Sequence, residues 1–88
     1  MRHRLKITSE HFNSIWIHKK TAEMRFNDRN FQIGDKIILR EIDELNNFTG
    51  NRIYIDITHI LTGAEYGIID GYCMISFIDT LLIHNPSL

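Results

Sequence analysis

Polar and apolar residues alternate from His3 to Ile7, which puts Leu5 and Ile7 on one face and predicts a short half-buried strand. The period then changes. Phe12, Ile15 and Trp16 recur at helical spacing after Thr8, a residue suited to an N-cap, and Ile7 and Phe12 stand at the two positions of a hydrophobic staple. This helix is expected to end near His18 to Lys20, where positive side chains complement the negative end of its dipole. From Thr21 the spacing returns to two, with Ala22, Met24 and Phe26 on an apolar face and Thr21, Glu23 and Arg25 on a polar one. Residues 27–30 read as a turn, Gly34-Asp35 as another, and 36–42 as the next strand. A hairpin connection over 43–50 precedes a long strand, in which Ile53, Ile55 and Ile57 alternate with Tyr54, Asp56 and Thr58 as far as Ile60. A loop punctuated by Gly63, Gly67 and Gly71 leads to a last strand over 72–78. Five strands, one early helix and no βαβ alternation predict an α+β protein. Its frame is a small, mixed or mainly antiparallel barrel of about five strands, with the helix covering one end.

At 88 residues the chain forms one domain with a single small core. Residues 1–78 are assigned to the barrel. Residues 79–88, with Leu81, Leu82 and Ile83, form a C-terminal tail that adds an edge strand or contacts a second copy or another protein. A content of 43% hydrophobic residues with one proline argues against disorder beyond the ends.

The net charge of −1 gives no global pull toward polyanions, but its distribution is uneven. Residues 1–40 hold nine Lys or Arg against four acids, whereas residues 41–88 hold only Arg52 against seven. That asymmetry fits a basic face for a phosphate-bearing partner, and equally two halves that pair with each other on the surface.

Cys73 is alone, which excludes an intrachain disulfide and a Cys-based metal site and leaves it to pack as a small hydrophobe. His3, His11, His18, His59 and His84 lack metal-ligand spacing and read as surface or capping residues, so neither metal nor cofactor is expected. The glycine-rich loop is followed by no Gly-Lys-Ser/Thr and opens no helix, so it is not a phosphate loop. The N-terminus lacks the apolar core of a signal peptide, and Asp79 interrupts an apolar run too short to cross a bilayer. The cytoplasm is the expected address, with no membrane partner.

Residues 18–31 carry the densest chemistry: five basic side chains, two carboxylates and two phenylalanines at the passage from helix to strand. Lys20-x-x-Glu23-x-Arg25 resembles the G-x-K-x-x-E-x-R signature of ASCH domains, members of the PUA-like barrel superfamily. The block Lys20 to Asp35 and the later block Leu61 to Tyr72 resemble a group of small uncharacterised ASCH-like proteins of bacteria and their phages. The resemblance implies a β-barrel with a cleft beside the helix, lined by the signature residues, in a superfamily most often associated with RNA. It also implies two departures. Cytidine-deacylating ASCH enzymes carry a catalytic threonine where this chain has Glu23, with Thr21 in another register, and the glycine that opens the signature is His18 here. Glu65 is the one glutamate in a loop comparable to the one that carries their distal glutamate.

The expected function is binding of RNA, a nucleotide or a modified nucleoside in a cleft formed by Lys20, Thr21, Glu23, Arg25 and Arg29. Glu23 would hold the Arg25 fork, and Tyr66 or Tyr72 would offer a stacking surface. Asp28 reads as local turn chemistry. Two alternatives stay open. One is a hydrolase of a modified pyrimidine nucleoside such as acetylated cytidine, with Lys20 as its central catalytic group. The other is a small phage or bacterial interaction module.

Overall fold

The computed structural model describes residues 1–64 and 66–84, and in these the chain runs β1 (Arg2–Thr8), α1 (Ser9–Trp16), β2 (Ala22–Phe26), β3 (Lys36–Ile42), β4 (Phe48–Thr62) and β5 (Tyr72–Ile83). The strands form one sheet in the order β1-β3-β4-β5-β2. β1 runs parallel to β3 and every other neighbouring pair is antiparallel. A parallel neighbour needs a long crossover, and here that crossover contains α1 and β2. The first two strands of the chain therefore lie at opposite edges of the sheet.

Those edges do not stay apart. Register shifts between Arg40 and Ile42, between Tyr54 and Ile55 and between Ile57 and His59 bend the long central strands. The sheet curls into a half-barrel, and the Arg25 Nη2 of β2 donates to the Lys6 carbonyl of β1 at 2.9 Å across the seam. The concave face carries the core: Leu5, Ile7, Ile37, Leu39, Ile53, Ile55, Ile57, Cys73, Ile75 and Phe77, closed by Phe12 and Ile15 of α1 and by Phe31. Burial pushes the Cys73 thiol pKa up, in keeping with a packing role.

α1 begins where expected, although Thr8 makes no side-chain capping bond. Ile7 and Phe12 share the core, so the staple rather than the hydroxyl fixes the entry of the helix. The helix stops at Trp16, before the basic run, and its last turn contains no cation. The His18 N–H bonds the Ile15 carbonyl at 3.0 Å and the Lys19 N–H bonds that of Ser14 at 2.8 Å, the paired bonds of a Schellman terminus. Such a terminus places one residue in the left-handed region, and that residue is His18, at φ 62°. Its Nδ1 lies 3.2 Å from Asp79 Oδ1.

Two sequence expectations are corrected by the register. β5 continues past residue 78 to Ile83, pairing with β4 as far as Arg52, so the start of the expected tail belongs to the sheet. His84 then stacks on Trp16 at 3.9 Å, and residues 85–88 lie outside the described residues. His3 is no surface residue: the inward pleat of β1 buries it, its Nε2 2.9 Å from Asp35 Oδ2 and its ring edge-on to Phe31. Asp35 also accepts from the Gln32 N–H and the Met1 amine. The His3 bond, then the amine, holds the Asp35 carboxyl down at about 2.

Candidate functional site

The faces of β2 are inverted relative to the alternation in its sequence. Glu23 stands opposite Ile75 and Arg25 opposite Cys73, both core residues, so the polar pair turns to the concave side while Met24 and Phe26 face outward. The reason is positional. β2 is an edge strand at the seam, where the inward face borders an opening instead of a packed core. The Glu23 side chain keeps only 13% of its exposure and that of Arg25 keeps 25%. Arg25 Nε donates to Glu23 Oε2 at 2.8 Å, and with the bond to the Lys6 carbonyl this fixes the guanidinium plane at two points.

Beside that guanidinium a cleft of about 410 Å³ opens between the two edges of the sheet. β1 contributes Arg4, Leu5 and Lys6, β2 contributes Arg25 and Phe26, and the following loop contributes Asp28, Arg29 and Phe31. Arg40 of β3 and Phe48 of β4 complete the wall. Five cationic side chains thus meet one carboxylate and three phenylalanines. Arg25 is the one of the five with a carboxylate partner among the described residues. Arg40 lies over the Phe48 ring at 3.7 Å, and Lys6 approaches the same ring at 5.7 Å.

The residues singled out in the sequence divide. Arg25 and Arg29 line the cleft, Asp28 joins them, and Glu23 acts on it by bracing Arg25. Lys20 does not line it; its N–H bonds the Ser14 carbonyl behind the helix end. Thr21 uses its carbonyl to accept from the Phe77 N–H, tying the start of β2 to β5. Tyr66 is exposed in the 63–71 loop, away from the lining, and Glu65 lies outside the described residues. Tyr72 sits one step removed, packed edge-on against Phe26 with ring centroids 5.4 Å apart. His18, which stands where the signature opens with glycine, faces Asp79.

Sequence reasoning passed over Arg4, Lys6, Phe26, Arg40 and Phe48. A signal for the first two was present: the outward positions of β1 read Arg2, Arg4, Lys6, three cations on one pleat. Nothing in the order of the sequence brings that pleat beside β2, because the two strands meet only through the curl of the sheet. Among the described residues no group of three or more His, Cys, Asp or Glu side chains could hold a metal ion, and no helix is long and apolar enough to cross a membrane.

Fold and site together define a class: a small α+β half-barrel with a cation-lined cleft at the seam between its edge strands. The chain belongs to the DUF3850 family, a domain of unknown function, whose profile matches residues 2–77. It is also 36% identical over 64 residues to an uncharacterized 12.9 kDa protein in the GpA 3′ region of Escherichia phage P2. That match takes in 73% of this chain and 58% of the length of the phage protein.

Proposed function

We propose that this chain is an ASCH-like, PUA-type module that binds RNA or a nucleotide in the seam cleft. The observation that carries the reading is the lining: Arg4, Lys6, Arg25, Arg29 and Arg40 converge around Phe26 and Phe48 with Asp28 as the only acid. Unpaired cations on a cleft wall repel one another, and a phosphate relieves that repulsion. The braced guanidinium of Arg25 is suited to a bidentate phosphate contact, and the outward ring of Phe26, 56% exposed, offers a base an apolar face. The resemblance of Lys20-x-x-Glu23-x-Arg25 to the ASCH signature supports the same reading, with Glu23 as the brace of Arg25. Hydrolysis of a modified nucleoside has less support in the geometry, since Lys20 stands outside the lining and Glu23 is engaged by Arg25.

The test is a fluorescence-anisotropy titration with short single-stranded RNA over a range of salt. Binding should weaken as salt rises, with a log-log slope of about 0.7 for each phosphate neutralised. Arg25→Ala should weaken it about 10- to 150-fold, the effect of losing a charge-assisted contact of about 1.5–3 kcal/mol. Absent binding, or binding indifferent to salt, would overturn the reading.

A further inference from the structure

The cleft does not end the cationic surface. The register of β1, β3 and β4 sets Lys6 opposite Arg40 and Arg40 opposite Arg52, so three cations stand in one row across three adjacent strands. In the next row on the same face Arg4, Ile38 and Tyr54 stand side by side. Like charges directly opposite one another destabilise a sheet, and no carboxylate pairs with Arg4, Lys6, Arg40 or Arg52 among the described residues. The row beyond differs: there Lys36 and Asp56 face each other and form an ion pair at 2.9 Å. The surface is hollowed as well as charged. A depression of about 220 Å³, lined by Arg4, Ile38, Arg40, Arg52 and Tyr54, shares Arg4 and Arg40 with the wall of the seam cleft. The track stops at β5, where the same two rows continue with Ile83 and Leu81.

We propose that the ligand is a single strand of nucleic acid that leaves the seam cleft and crosses the convex face from Lys6 over Arg40 to Arg52, with Tyr54 as a second aromatic surface. This rests on the cleft reading above and specifies its ligand as an oligonucleotide rather than a mononucleotide. Adjacent strands lie about 4.8 Å apart, so the row from Lys6 to Arg52 spans about 10 Å. That distance leaves room for phosphate beyond the one held in the cleft. The half-buried Tyr54 and the exposed Phe26 and Phe48 favour a single strand, whose bases are free to stack, over a duplex.

The experiment titrates labelled oligouridylates of two, four and eight nucleotides into the wild-type chain, Arg25→Ala, Arg52→Ala and Arg52→Gln. The glutamine keeps the side-chain stem and guards against a folding artefact. Affinity should rise from the dinucleotide to the octamer. Both Arg52 variants should lose several-fold for the octamer, with a salt slope lower by about 0.7 to 1, and leave the dinucleotide unchanged. A dinucleotide bound as tightly as the octamer, weakened by Arg25→Ala and indifferent to both Arg52 variants, would overturn the track and leave the cleft reading standing. No binding at any length would overturn both. Inorganic polyphosphate bound as tightly as an octamer of equal charge would overturn the assignment to nucleic acid.

Discussion

His18 holds a backbone conformation that costs an L-residue about 1–2 kcal/mol, because its Cβ crowds the following carbonyl. Helix α1 nevertheless closes with a complete pair of Schellman bonds around it. Position 18 is thus the left-handed stop of a helix, where a glycine would cost least, and not a wall of the cleft. His18→Gly should therefore stabilise the fold by about 0.5–1 kcal/mol in urea denaturation, net of the lost contact to Asp79, which is largely solvated. The proposed RNA binding should not change.

Asp35 makes a second residue-level case. Its carboxyl is held at about 2, below its ordinary value of 3.8, chiefly by His3 and next by the Met1 amine. A depressed carboxyl contributes stability that is fully present above the ordinary value and is lost as the pH falls through the native one. Stability should accordingly decline between about pH 4 and pH 2, by about 1–2 kcal/mol from this group. His3→Ala removes the largest cause of the depression and leaves a buried acceptor short of a donor, a cost of about 1–3 kcal/mol at neutral pH. In that variant the acid-induced loss should be smaller, because the native pKa has moved back toward the unfolded one. Urea melts at a series of pH values measure both effects.

Among the elements, the most legible was β3, whose bounds follow from Asp35 on one side and the 43–47 turn on the other. The strand β1 and the helix α1 were also readable, since a change of period at Thr8 marks their boundary. The end of β5 was not. Asp79 breaks the apolar run, yet pairing with β4 continues beyond it to Ile83 across a register shift whose extra residue is Thr80 of β5, and the alternation of the apolar residues does not carry across such a bulge. β2 misled for another reason: alternation names the core face only where a strand has a core to face, and Glu23 and Arg25 face the seam.

The junction of β2 with β5 also depends on Gly71. Its φ is 86°, and a Cβ there would come within 3.0 Å of the Phe26 ring. Gly71→Ala should destabilise the protein by about 1–2 kcal/mol and displace Phe26 from the cleft, weakening the proposed RNA binding as well. Paired thermal melts and anisotropy titrations separate the two effects, because a variant only less stable binds normally well below its melting temperature.

For the whole molecule, the uneven distribution of charge along the chain is folded into a place. Arg4, Lys6, Arg25, Arg29 and Arg40, all from the first half, meet in one cleft, and Arg52, the one cation of the second half, extends their surface across β4. The sequence announced the imbalance and the signature triplet. It could not announce that Lys20 would stay outside the cleft and Arg4 would enter, because that outcome depends on how far the sheet curls and so on three register shifts distributed over two pairs of strands.

The bridge from Arg25 to the Lys6 carbonyl has a consequence for what evolution can alter. A guanidinium has five N–H bonds; one holds Glu23, one holds the opposite margin of the sheet, and three remain for a guest. Seizing an anion therefore demands no release of the clasp. A lysine at position 25 would preserve the charge yet gather its donors on one nitrogen, which cannot stand where both Nε and Nη2 stand, so Arg25→Lys should loosen the two margins, a change visible as faster amide exchange along β1 and β2.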